Sequence, residues 1–230
     1  MACILGIETA TRVCSTAVVD GEEVIGEFSL SVPHVHVEKL VLMVNQLLEN
    51  LHLRYSDLDA VAVSNGPGSF TGVRIGLSVA KGIAFAHSTK LIAVPTLDAI
   101  AHEVVKFAEN KAVVPLLHAR AEEFYYSAYR SSAGIVSRVK DYAAAEGSTI
   151  VSEFDEETLF VGEGVHLFSR LSAVLSKPEA EVKNIAASAR GVALIGAEKC
   201  ASEEFADIKT LVPLYIKDFV AVKRNKLTTA

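Results

Sequence analysis

The run Ser64-Asn65-Gly66-Pro67-Gly68-Ser69-Phe70-Thr71-Gly72-Val73-Arg74-Ile75-Gly76 constrains this chain more than any other stretch. An apolar segment, Leu58 to Val63, leads into it, and a helix-like segment leads out. Glycine permits positive φ and close backbone approach, and proline fixes its own φ. Strand, tight turn and helix together leave amide groups at a helix N-terminus, where an anion is favoured. The two phosphate-loop patterns nevertheless fail. From Gly66 a G-x-G-x-x-G run requires glycine where Thr71 stands, and no Gly-Lys-Ser/Thr follows. The loop is compatible with phosphate without being either motif.

What surrounds the loop must bury a large core. Half of the 230 residues are hydrophobic and mean hydropathy is +0.33, which argues for a folded chain over a disordered one. The net charge of −6 argues against a basic nucleic-acid surface acting alone. Cys3, Cys14 and Cys200 are scattered, with no C-x-x-C, and read as reduced thiols of a cytoplasmic protein. The N-terminal apolar run is too short for a signal peptide, and no apolar run reaches about 18 residues, so no membrane span is expected.

Three short strands open the chain: Cys3 to Ile7, ending at Glu8; Ser15 to Val19; and Val24 to Leu30, after an Asp20-Gly21 turn. His36 to Leu51 carries apolar residues at helical spacing, and Leu42, Met43 and Leu47 widen the stripe. A neighbouring helix of the same chain or a partner could cover that extra face. Asp59 to Ser64 is a fourth strand and Val73 to His87 a second helix. Gly72, Gly76, Ala80 and Ala84 recur every fourth residue along it, a ridge that admits close approach of another helix. Leu91 to Val94 is a fifth strand, and Thr96 to Phe107 a third helix with Thr96 as N-cap. The pattern then restarts with strands at Ala112 to Leu117, Phe124 to Tyr129, Gly134 to Val139 and Thr158 to Val161. Helices follow at Leu167 to Leu175 and Ala186 to Cys200, then an extended Pro213 to Ile216 and a polar tail. No repeat of the sequence is visible. We divide the chain into an N-terminal lobe, 1–109, and a C-terminal lobe, 110–230.

This order of elements is that of one lobe of the α/β, actin/hexokinase/Hsp70-like (ASKHA, ribonuclease H-like) fold. Ile4-Leu5-Gly6-Ile7-Glu8-Thr9-Ala10 followed by Gly66-Pro67-Gly68-Ser69-Phe70-Thr71-Gly72-Val73-Arg74 resembles the TsaB (YeaZ) family. The likeness extends to Pro95-Thr96-Leu97, Ala119-Arg120 with Glu123 and Tyr125, and Pro213 to Lys217, and is loose over 140–210. It implies a glycoprotease-like chain that partners TsaD in synthesis of threonylcarbamoyladenosine (t6A) on tRNA, as an accessory subunit and not an enzyme. It further implies a heterodimer with TsaD, a small ATPase as third subunit, tRNA met through the complex, and ATP or ADP held only within it. No cofactor is assigned to this chain. The family commonly has Asp before the Ala-Arg pair, where His118 stands here.

Each candidate site residue has a structural reading beside the functional one. Glu8 occupies the place where relatives of that fold keep an acid beside phosphate, but a turn carboxylate that accepts from the amides of Thr9 to Thr11 is the simpler assignment. Gly66, Gly68, Ser69, Thr71, Arg74 and Arg120 complete the candidate nucleotide-side set. Ser69 and Thr71 serve equally as turn hydroxyls, and G-x-S-x-G is absent, which disfavours a serine hydrolase. Arg74, one turn into its helix, opposes the helix dipole and calls for an ion pair or an anionic ligand. Arg120 is the candidate cleft residue. His34 and His36 alone do not make a metal site, and no metal is expected. Leu42, Met43, Leu47, Gly72, Gly76, Ala80 and Ala84 form the expected partner interface, which without TsaD would close a homodimer. An autonomous ATP-dependent small-molecule kinase of the same fold is the alternative function.

Overall fold

The computed structural model describes residues 1–32, 35–104, 107–108, 111–132, 135–154, 157–163 and 181–216. Strands β1 (Cys3–Glu8), β2 (Cys14–Asp20), β3 (Glu23–Leu30), β4 (Ala60–Ser64) and β5 (Lys90–Val94) form one sheet in the order β3-β2-β1-β4-β5. β1 to β3 are antiparallel neighbours, whereas β4 and β5 run parallel to β1. Strands β6 (Ala112–Arg120), β7 (Glu123–Ser132), β8 (Ile135–Glu146), β9 (Leu159–Glu163) and β10 (Glu181–Lys183) form a second sheet, β10-β9-β6-β7-β8. Its antiparallel triplet and two parallel additions repeat the order of the first. The chain is therefore built on one pattern used twice, although no sequence repeat announces it.

Helices make the sheets into layers. α1 (Val35–Asn50) and α2 (Phe70–His87) cover one face of the first sheet, where Leu40, Val44, Leu47 and Leu48 meet Val73, Leu77, Leu5, Ile7 and Val63. α3 (Thr96–His102) and α5 (Ala189–Ala201) lie on the opposite face, in the core between the sheets with Ile4, Val94, Leu97, Val192, Val113 and Val161. α4 (Gly147–Glu153) seals the far face of the second sheet through Ile150 and Val151 against Phe124 and Phe160. The helix Leu167 to Leu175 and the tail from Val220 fall outside the described residues.

Three differences from the sequence reading are physical. α2 begins at Phe70, because Ser69 is its N-cap and its hydroxyl accepts from the Gly72 amide at 3.2 Å. α3 is shorter than expected and Pro95, not Thr96, stands at its cap; the Thr96 side chain is buried. Residues 189–216, placed with the C-terminal lobe, pack on the first sheet instead. A Cβ added to Gly6 of β1 would overlap the carbonyl oxygen of Ala189, and the Ala189 amide donates to Ser15 Oγ at 2.9 Å. Beyond α5 the chain continues as a strap. The Ala206 amide donates to Leu91 O at 2.8 Å, Lys81 Nζ to Leu211 O at 2.7 Å, and the Leu214 amide to Asn65 O at 2.7 Å.

The lobes are also joined by side chains. Asp98 on α3 accepts from the hydroxyls of Tyr129 and Tyr142, the latter at 2.7 Å, and Arg138 donates to the Tyr142 hydroxyl. Burial, with the Asp98 charge, raises both tyrosine pKa values, so both hydroxyls remain donors.

Candidate functional site

The candidate site lies where the C-terminal ends of β1 and β4, the glycine loop and the strap converge. Glu8 ends β1 at 0% exposure. Its Oε1 accepts from the amides of Ala10 at 2.6 Å and Thr11 at 3.2 Å, which holds the turn after β1. Oε2 and the neighbouring Ser64 Oγ form no hydrogen bond of normal geometry. Burial pushes the Glu8 carboxyl up to about 7, and Glu163 adds to the rise; Ser64 and the two amides oppose it. Glu163, at the end of β9, accepts from the Arg12 amide at 3.3 Å, so the turn also touches the second lobe.

The glycines of the loop fit it onto that turn. A Cβ on Gly68 would overlap Ala10 O, and the Ser69 amide donates to the same oxygen at 2.7 Å. Gly72 and Gly76 continue the fit. A Cβ on Gly72 would overlap Thr9 O and one on Gly76 would overlap Thr9 Oγ1, while Thr9 Oγ1 donates to Gly72 O at 2.8 Å. Farther along α2, Ala80 and Ala84 are fully buried in the core. The ridge of small residues is therefore used inside the chain. This corrects the expectation of Gly72, Gly76, Ala80 and Ala84 as a partner interface. Met43 and Leu47 are corrected likewise, since both are buried in the same core. Of that set Leu42 alone is exposed, at 58%.

Gly66 and Gly68 line a cavity of about 40 Å³ with Phe70, Tyr125, Leu214 and Tyr215. Such a volume holds water, whereas pockets for drug-sized ligands run to about 300 Å³ or more. Arg74 lies beside it, and the chain itself gives its charge an aromatic ring and a hydroxyl. Its guanidinium sits 3.7 Å from the centre of the Phe70 ring and donates twice to the Tyr215 hydroxyl, at 3.0 and 3.3 Å. Arg74→Ala should therefore cost about 1 kcal/mol in urea unfolding and speed exchange of the Leu214 amide, with no effect assigned to phosphate. Thr71 is exposed on the first turn of α2, outside the cavity lining. Arg120 is not in the cavity either. It stands at the exposed β6–β7 hairpin, paired to Glu123 at 3.0 Å, and Tyr125 reaches the glycine loop in its place. His118 Nε2 donates to Ala121 O at 2.8 Å and its ring meets Phe124 edge-on, so it shapes the same hairpin.

Two features escaped the sequence reading. Tyr215 and Leu214 seal the loop, and Glu163 meets the β1–β2 turn across the lobes; both contacts join residues far apart in sequence. The outer face of α2 is exposed near the site. Thr71, Arg74, Ser78, Gly82 and Phe85 follow one another along it at helical spacing. Phe85 is 79% exposed and nothing lies within 4 Å of a Cβ built on Gly82.

The sequence profile of the family TsaD, tRNA N6-adenosine threonylcarbamoyltransferase, matches residues 31–223. The chain belongs to this family, on its TsaB (YeaZ) branch. It is 28% identical over 225 residues to the tRNA threonylcarbamoyladenosine biosynthesis protein TsaB of Escherichia coli, spanning 96% of this chain and 97% of that one. Against the protein of the same name from Bacillus subtilis it is 27% identical over 220 residues, 93% of each. The solved structure of YeaZ from Pseudomonas aeruginosa superposes with a TM-score of 0.79 at 25% identity, covering 94% of this chain and all of that one. The duplicated sheet order is that of the two-lobed actin/hexokinase/Hsp70-like fold expected above. Among the described residues no helix is long and apolar enough to cross a membrane.

Proposed function

We propose that this TsaB-branch chain is an accessory subunit of t6A biosynthesis that supports a TsaD-type transferase, with little or no catalysis of its own. The transferase moves the threonylcarbamoyl group from its adenylate to adenosine of tRNA. One observation carries the reading. The outer face of α1 leaves Val41 and Leu42 exposed and that of α2 leaves Phe85 and an open Gly82, while the cleft at the glycine loop is covered by the chain's own strap. Two helices with such outer faces suit a four-helix contact with a like pair. TsaD supplies that pair in the complex, and a second copy of this chain supplies it when TsaD is absent. With a net charge of −6, tRNA is met through the complex, in the cytoplasm, where a small ATPase joins as third subunit. ATP or ADP then belongs to the assembled complex.

The kinase alternative requires an adenosine pocket in this chain, and the cavity of about 40 Å³ offers none of that size. Calorimetry of the isolated chain with ATP and magnesium, run beside co-purification with a TsaD homologue, separates the two. The proposal expects capture of the homologue and no micromolar heat from ATP. Micromolar ATP binding with turnover by the chain alone would overturn it.

A further inference from the structure

We propose that Glu8 is a proton-dependent latch on the seat of α2. The seat is the turn after β1. Thr9 and Ala10 of that turn receive Gly68, Gly72 and Gly76 at contact distance, accept the Ser69 amide and donate to Gly72 O. Glu8 holds the turn from below through the amides of Ala10 and Thr11. The carboxyl is wholly buried, and no cation is among the groups that act on it most. The titratable groups that do are Glu163, from β9, and the Cys14 thiol of β2, itself pushed up to about 11 by burial and by Glu8. The neighbour from β4 is the Ser64 hydroxyl. A neutral carboxyl fits this setting: burial disfavours the charge, and Oε2 then carries a hydrogen that Ser64 Oγ can accept, where an ionised Oε2 would take the Ser64 hydrogen instead. Ionisation instead places a full negative charge at 0% exposure, facing a second acid. The turn then loosens, and α2 with it.

The sign follows from linkage. A carboxyl near 7 in the closed form and near its ordinary value of about 4.5 when the turn opens holds the latch most firmly below about pH 4.5. The hold is lost as pH rises through about 7 and levels off about one pH unit above. Glu8→Gln keeps both an acceptor and a donor and removes the proton. Amide exchange at Gly72 to Gly76 in the full chain is compared between the wild type and this variant, which cancels the intrinsic pH dependence of exchange. The ratio of protection factors should change about fortyfold between pH 5 and pH 7. Glu163→Gln should move the midpoint down while leaving the change in place. Should Glu8→Gln fail to fold, the carboxyl resonance of Glu8 in the wild type reads the same titration, with an expected midpoint near pH 7.

A flat ratio, or a resonance midpoint below pH 5, would overturn the latch. So would a divalent cation that protects the wild type and not the variant, because the orphan oxygens would then be ligands and not proton partners. These readouts need no partner. The consequence, that docking on the α1/α2 face weakens from pH 5 to 7, rests on the function proposed above.

Discussion

Gly72→Ala should destabilise the protein by at least about 2 kcal/mol, whereas Gly82→Ala, on the same helix, should stabilise it by about 0.5–1 kcal/mol. Intrinsic helix propensity favours alanine over glycine by about 1 kcal/mol at both positions. What differs is the space. The added methyl at Gly72 overlaps Thr9 O, a backbone atom at the end of β1 whose neighbours Ala10 and Thr11 are fixed by Glu8. Neither the strand end nor the helix can shift without breaking the Thr9–Gly72 hydrogen bond or opening the buried face behind it. At Gly82 the methyl meets nothing within 4 Å. Urea unfolding of the two variants gives opposite signs in this account. Equal stabilisation by both would mean that α2 does not rest on the β1–β2 turn.

The same contrast shows where sequence reasoning stops. Periodicity marks a small or apolar face on a helix, and the faces of α1 and α2 were legible for that reason. It does not say what covers the face. The Gly72–Gly76 ridge looked like a surface for a foreign helix because its partner, Thr9, is in a turn that carries no pattern. Met43 and Leu47 were misassigned for the same reason, since a wide apolar stripe can wrap around its own core. Arg74 was legible as an anomaly at a helix N-terminus, but Tyr215, which resolves it, lies far along the chain. The turn role of Glu8 was readable because its acceptor geometry is local. The strand triplets of both lobes were readable from apolar runs and turns, although β8 continues to Glu146, beyond the expected end at Val139. The repeated sheet order was not, because parallel pairing of β4 with β1 and of β9 with β6 is set by crossovers and not by local residues. The return of α5 to the first sheet is likewise a long-range fact.

Leu42→Asp combined with Phe85→Asp should abolish association with a TsaD homologue, and self-association of the chain alone, while leaving the unfolding free energy from urea titration within about 0.5 kcal/mol of the wild type. Both side chains are exposed already, at 58% and 79%, so charging them removes little from the fold. In a four-helix contact each would become a desolvated, unpaired charge, which costs several kcal/mol, enough to weaken binding a thousandfold or more. This pair replaces the small-residue positions as the probe of the interface. A substitution at Gly76 or Ala80 would disturb the core, and loss of binding there would say nothing about the surface.

The most direct test of the accessory-subunit account is t6A formation on tRNA by a TsaD homologue, with the remaining components of the reaction, in three parallel mixtures. One lacks this chain, one contains it, and one contains the Leu42→Asp/Phe85→Asp variant. The account predicts modified tRNA in the second mixture and a large loss in the first and third. Full modification without the chain, or undiminished modification with the double variant, would contradict it.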